Sequence, residues 1–321
     1  MSPLGLTGRS TLLRRWIVRS SADNDNQTLI NPMKKITILF YLLLASFSAY
    51  ADIYKASNMK DIKKMAEDIF AKRNPEKTVF IFPLEKVILR ATHPAMQTQD
   101  RNYNTLITKA FANVPPSKTV YINSLLLIDY PHELEDPVLP DLIDFIQENK
   151  SAVIVVTPNL TGKINKIDFL EVWTWDYLKS LKIDLSRGVF ANKKFIFDKE
   201  SDKISGTYPS FYKGLLSCNS DNENNSSLGM IATLFITKFK KIPNVVVAVA
   251  TSASYLEALE KQLKILDADN EFFGILYTPK EFKAKEISPE DYLQFWQNFV
   301  KNLNKVTRKE GALKKENPYE E

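Results

Sequence analysis

Few residues of this 321-residue chain have the type and spacing to do chemistry, and the most suggestive of them follow an apolar run. Thr78–Phe82 (Thr-Val-Phe-Ile-Phe) is β-prone and apolar enough to be a strand buried on both faces. Pro83 comes next, then Glu85. In an open α/β sheet, groups at the carboxyl end of a strand face the ligand crevice. A carboxylate there can move a proton. Glu85 reads equally as a solvated charge at a strand end, and Pro83 as a plain strand terminator. A second apolar run, Ala152–Thr157, ends in a hydroxyl, and Pro158 behind it makes Thr157 readable as a turn or cap residue. The rest of the inventory excludes classes. Two His (His93, His132) and one Cys (Cys218) leave no intramolecular disulfide and no His/Cys cluster for a soft metal. The nine Gly fall into neither the dinucleotide-binding nor the phosphate-loop spacing. His93 and His132, beside Pro94 and Pro131, are expected on surface loops, and Cys218 in an exposed polar loop.

The elements that must position Glu85 alternate in type. Asn58–Arg73 is an amphipathic helix capped by Asn58, with Ile62, Met65, Ala66, Ile69 and Phe70 on one face. Asn74-Pro75 ends it and leads into the strand at Thr78. Residues 91–131 read as an insert after that strand, with a helix over Asn104–Ala112 and a break at Pro115-Pro116. A helix opened by Glu135–Pro140 runs to Asn149, and the Ala152–Thr157 strand follows. Lys166–Leu181 is helical, with Trp173, Trp175 and Tyr177 as packing aromatics or, alternatively, an exposed contact patch. Short strands are expected within Gly188–Phe197 and Phe211–Leu216, and a flexible polar surface loop over Ser217–Ser227. Then come a helix (Leu228–Phe239), a strand (Asn244–Ala250), a helix (Ser252–Leu266) and a strand (Phe272–Tyr277). The last helix runs from a Ser288-Pro289-Glu290 start to about Val306. Lys238-Phe239-Lys240-Lys241 reads as a solvated helix end. Strands alternating with helices imply an α/β fold: a mainly parallel sheet covered by helices on both faces, with a small insert at about 90–131.

The amino terminus carries a leader pattern. Met33-Lys34-Lys35 is a positive segment, Ile36–Phe47 is apolar, and Ser48-Ala49-Tyr50-Ala51 supplies a cleavage site, so the exported chain is expected to begin at Asp52. The apolar run is too short to span a bilayer; an uncleaved anchor is the alternative. Residues 1–32 read as an upstream extension, 52–310 as the α/β domain and 311–321 as a charged, frayed tail. Of 43 basic and 38 acidic residues, six and two lie in residues 1–51, leaving 37 and 36 downstream. The near-neutral remainder argues against a nucleic-acid partner. No stable membrane span is expected after cleavage. The protein is expected in the periplasm or outside the cell.

The order of segments resembles the haloacid dehalogenase-like superfamily, close to an uncharacterised group of secreted bacterial proteins within it, over most of residues 58–305. Val79–Val87 resembles the first motif, a strand ending D-x-D-x-[TV]. Asp136–Leu142 through Val156-Thr157 resembles the helix and strand of the second, and Tyr212-Lys213-Gly214 to Gly229 the region of the third. Val245–Thr251 resembles the strand that ends in paired Asp, and Phe273–Thr278 the closing strand. Carried over residue by residue, the nucleophilic Asp falls on Pro83 and the acid/base Asp on Glu85. The anion-binding hydroxyl falls on Thr157 and the Lys on Leu228, with Lys213 as a shifted alternative. The metal-binding Asp pair falls on Ala250 and Thr251. One Glu and a hydroxyl are a poor site for Mg²⁺, which needs a near-octahedral set of oxygens.

The resemblance therefore implies a pseudoenzyme with no catalytic residues and no cofactor: an exported, non-catalytic binding module for a protein or small ligand. The alternative is a Mg²⁺-dependent phosphatase or related hydrolase with an atypical site. That reading requires further carboxylates, such as Asp129, Glu171 or Asp221, to converge on Glu85.

Overall fold

Downstream of the leader, the apolar runs at Thr78–Phe82, Ala152–Thr157 and Val245–Ala250 each become a strand, and a further strand precedes them. The computed structural model describes residues 53–97, 103–220, 223–279, 285–306 and 318–319. The upstream extension, the leader, its cleavage position and Asp221 lie outside the described residues, as does the charged tail apart from Pro318 and Tyr319. In chain order the elements are β1 (Ile53–Ala56), α1 (Met59–Phe70), β2 (Thr78–Pro83) and β3 (Leu89–Ala91). The insert holds α2 (Asn104–Phe111) and α3 (Ile122–Asp129) and closes with β4 (His132–Leu134). Then follow α4 (Leu139–Glu148), β5 (Ala152–Thr157), α5 (Leu170–Ser180), β6 (Lys194–Ile196), β7 (Ser210–Tyr212) and β8 (Leu215–Ser217). The last part is α6 (Glu223–Thr233), which runs into a π-helical turn at Leu234–Phe239, then β9 (Val245–Ala250), α7 (Ala253–Leu266), β10 (Glu271–Tyr277) and α8 (Pro289–Lys305).

One eight-stranded sheet has the order β1-β10-β9-β2-β5-β8-β7-β6. The strands from β1 to β8 in that order run parallel, and β7 and β6 are antiparallel additions at one edge. Alternate residues of the central strands feed two cores. Phe80, Phe82, Val153, Val155, Val247 and Val249 pack on one face with α1, α4 and α5. Val79, Ile81, Ile154, Val156, Val246 and Ala248 pack on the other with α6 and α7. The α/β class with helices on both faces is thus the observed architecture. Strands β3 and β4 pair as a separate antiparallel ribbon. The helices between them pack with α8 in a third core built on Leu125, Tyr121, Trp296 and Phe299. Among the described residues no helix is long and apolar enough to cross a membrane.

Several expectations need correction. Strand β1 went unread because only Ala56 of its four residues is buried, so it has no apolar run. Helix α5 starts at Leu170 rather than Lys166, since Ile164–Ile167 is a turn with Asn165 at positive φ. The start of the Ser217–Ser227 stretch is not a surface loop. Cys218, Asn219 and Ser220 are buried because their amides donate to the carbonyls of Thr157, Asn159 and Pro158, which extends the β5–β8 pairing. His93 stacks on Phe295 at 4.1 Å, and His132 is half-buried in β4, where burial lowers its pKa. Of the Lys238–Lys241 segment, Lys240 and Lys241 are exposed as expected, but Lys238 is largely covered and pairs with Glu200 at 3.0 Å. Of the tail, Tyr319 is docked on the core rather than frayed. Trp175 is buried in packing, and Trp173 stacks on Tyr177.

Asp136 ties the elements behind β2 together. One carboxylate oxygen accepts from the Met59 amide at 2.8 Å, the other from the Val138 amide at 2.9 Å. The group thereby satisfies orphan donors at the starts of both α1 and α4. Hydrogen bonds to a charged acceptor contribute more than neutral ones. Asp136→Ala is expected to lower unfolding free energy by about 2 kcal/mol, measured by urea denaturation.

Candidate functional site

Strands β9, β2 and β5 are neighbours, so their carboxyl ends bring Ala250, Pro83 and Thr157 side by side. Pro83 is the last residue of β2 and is in register with Val156. The β2–β9 pairing has already stopped at Ile81, so the missing N–H of Pro83 leaves no acceptor of β9 unserved. Beyond Pro83 the chain turns tightly. The Leu84 amide donates to Val156, the Lys86 amide to Leu89 and the Leu89 amide to Leu84, with Lys86 at a φ of 65°. This turn aims Glu85 back across the end of β5.

There one oxygen of Glu85 collects two donors. The Thr157 hydroxyl donates at 2.7 Å and the Asn159 side-chain amide at 3.1 Å. Thr157 Oγ1 in turn accepts from the Asn159 backbone amide at 3.2 Å. Thr157 and Asn159 are buried, and Glu85 is half-buried. A carboxylate can only accept from the amide nitrogen, which fixes the orientation of Asn159. Glu85 is therefore a positioned acceptor, held by a hydroxyl and an amide of the neighbouring loop.

A cavity of about 200 Å³ opens here, lined by Pro83, Glu85, Lys86, Ser227, Ala250 and Tyr255 among others. Thr251 and Ser252 complete its rim. Ser252 caps α7, its Oγ accepting from the Tyr255 amide at 3.4 Å. The Ser227 hydroxyl faces the Tyr255 hydroxyl at 3.3 Å. Burial pushes the Tyr255 phenol up to about 12, with a smaller opposing effect of Ser227. Behind the wall lies Cys218, whose thiol burial and then the nearby Glu85 push up strongly, which keeps it protonated and unreactive.

The structure thus gathers Pro83, Glu85, Thr157, Ala250 and Thr251 at one mouth. Leu228 is buried in the core below α6, and its neighbour Ser227 is the residue that reaches the cavity. Lys213 stands in the β7–β8 hairpin, its ammonium over Trp175 and Tyr212. Asp129 borders a different hollow with Asn165, Asn302 and Lys305. Glu171 is buried against the Gly162 amide and the Tyr319 hydroxyl. Neither carboxylate lines the cavity at Glu85. Among the described residues no group of three His, Cys, Asp or Glu could hold a metal ion. Asn159, Ser227 and Tyr255 were missed in the sequence. Asn159 alone carried a signal, standing two residues beyond Thr157 in a loop that must turn at Pro158.

Among proteins similar to this chain is an uncharacterised protein of Rickettsia conorii, 28% identical over 291 residues that cover 88% of this chain and 96% of that protein. An uncharacterised protein of Rickettsia felis is 26% identical over 298 residues, covering 90% and 99%. One from Rickettsia typhi is 30% identical over 205 residues, covering 63% and 67%. No protein-family model matches the chain, and no solved structure matches it.

Two outcomes are expected. Thr157→Val removes a buried donor to a carboxylate and should cost about 2 kcal/mol, read from chemical denaturation. For Tyr255, a folded pKa above the unfolded value favours the neutral phenol. The stability it contributes is complete below the ordinary value of 10 and is lost as pH rises toward about 12. A ¹³Cζ label on Tyr255 should hold its neutral shift to about pH 11, and Tyr255→Phe should reduce the alkaline loss of stability.

Proposed function

We propose, from the premise that this chain belongs to the same family as the uncharacterised Rickettsia proteins described above, that it is an exported, non-catalytic binding module on a degenerate haloacid dehalogenase-like scaffold. The observation that carries this reading is the composition of the strand-end cavity. At the positions where the resemblance calls for a nucleophile and metal ligands, the lining offers the ring of Pro83, the methyl of Ala250 and the hydroxyl of Thr251. None of these can attack phosphorus as a carboxylate does, and they offer a divalent cation one hydroxyl oxygen. The volume, about 200 Å³, suits a small ligand or a single side chain of a protein partner. Apolar contact would come from Pro83, Val156 and Ala250, and polar orientation from Glu85, Lys86, Ser227 and Tyr255. Export rests on the leader pattern ending at Ala51.

The test is turnover of a panel of phosphomonoesters by the purified protein with and without Mg²⁺, beside Glu85→Ala. The expected result is the same background for both proteins. Mg²⁺-dependent turnover that Glu85→Ala abolishes would establish the alternative, an atypical phosphatase. In a small-molecule thermal-shift screen, compounds that stabilise the native protein should fail to stabilise Ala250→Leu, which fills the cavity.

A further inference from the structure

Tyr319, in the charged tail, is seated in a socket on the face of the sheet that carries α5. Its hydroxyl donates to Glu171 Oε1 at 3.0 Å. Its ring meets Tyr212 edge-on, with centroids 6.2 Å apart and an interplanar angle of 76°. Tyr212 in turn meets Trp175 edge-on at 6.1 Å. The acceptor is unusual. Glu171 stands in the first turn of α5 and is only 2% exposed. Its other oxygen takes the Gly162 backbone amide at 2.7 Å. Burying a carboxylate is costly unless donors replace its water. The tail and the Gly162 loop each supply one such donor.

Gly162, at a φ of 69°, lies in the loop that leaves β5 through Pro158 and Asn159. We infer that the pocket formed by Glu171, Tyr212 and Trp175 is a recognition site for a tyrosine of a tail segment, filled here by the chain's own Tyr319, and that its occupancy sets how firmly the Gly162 end of the loop after β5 is held. The inference stands apart from the proposed function, because it concerns one carboxylate shared between the tail and the loop, whatever the strand-end cavity binds. With the phenol gone, Glu171 has one donor fewer in a site closed to water. The inexpensive response is to let water reach it by loosening the turn at Gly162. A site built around a hydroxyl also discriminates strongly against the analogue that lacks it, so phenylalanine is a poor substitute.

Full-length Tyr319→Phe and Tyr319→Ala are compared with the native protein by amide hydrogen exchange of the 158–163 segment. The Gly162 amide is expected to exchange about ten-fold faster in Tyr319→Phe and faster again in Tyr319→Ala, with exchange in β2, β5 and β9 unchanged. A synthetic peptide of residues 316–321, added to Tyr319→Ala, should restore protection at Gly162, and the same peptide with Phe in place of Tyr should not. Native protection at Gly162 in Tyr319→Phe, or equal rescue by the two peptides, overturns the inference. Phenylalanine nearly preserves the volume of tyrosine, so Tyr319→Phe decides the matter even if Tyr319→Ala unfolds.

Discussion

A parallel sheet covered on both faces leaves its central strands no place for a polar side chain except at their ends. Strand β9 has none at all, β2 has only Thr78 at its start, and β5 has only Thr157 at its finish. Each large apolar side chain buried there contributes about 2 kcal/mol, and Phe80, Phe82 and Ile154 are wholly buried. A polar residue in the middle of any of these strands would forfeit that and need a partner besides. Polar chemistry is thereby pushed to the carboxyl rim, where the strands end and the loops begin. The candidate site lies there because the sheet interior excludes it.

Within that constraint the Glu85 network joins the loops that follow β2 and β5. Backbone pairing carries the β2–β5 register only to Pro83 and Val156, and the Leu84 amide adds one more bond to Val156. Past that point side chains take over, with Thr157 and Asn159 both reaching Glu85. The ends of two adjacent strands are then held by one carboxylate oxygen rather than by a ladder. This explains how Pro83, a residue unfit for the interior of a central strand, sits at this one's end: its pairing with the neighbouring β9 has already stopped at Ile81, and Glu85 ties the end of β2 to β5 where the ring cannot donate.

The long elements were legible because both signals that define them are local. Ala152–Thr157 declared itself as six apolar or β-branched residues in succession, and Ser252 and Ser288 announced the helices they cap. The location of the site was legible for the same reason, since strand ends follow from strands. What escaped depends on contacts between distant segments. Strand β1 is recognisable only by its partner β10. Cys218–Ser220 look like loop residues until their amides are seen on the carbonyls of 157–159. Ser227 and Tyr255 come to one cavity from two helices, a meeting that no spacing within either could announce. The tail offered only charge and length, and the docking of Tyr319 depends on a carboxylate 148 positions away.

That carboxylate shows what the loop after β5 is made of. Pro158 and Gly162 give it sharp turns, and its shape is then fixed by polar partners from other segments. Glu85 takes the Asn159 side chain at one end, and Glu171 takes the Gly162 amide at the other. Between them the Asn219 side chain accepts from the Thr161 amide at 3.2 Å and donates to the Thr207 carbonyl at 2.7 Å. These side chains share the loop with Ser124, which takes the Leu160 amide at 2.9 Å, and with the Asn219 and Ser220 amides, which donate to the Asn159 and Pro158 carbonyls. The loop is packed as well as bonded, since Leu160 is wholly buried in the third core with Asn159 and Thr161 buried beside it. Loss of one acceptor or its supporting donor is therefore felt first at the residue it holds, Asn159 for Glu85 and Gly162 for Glu171.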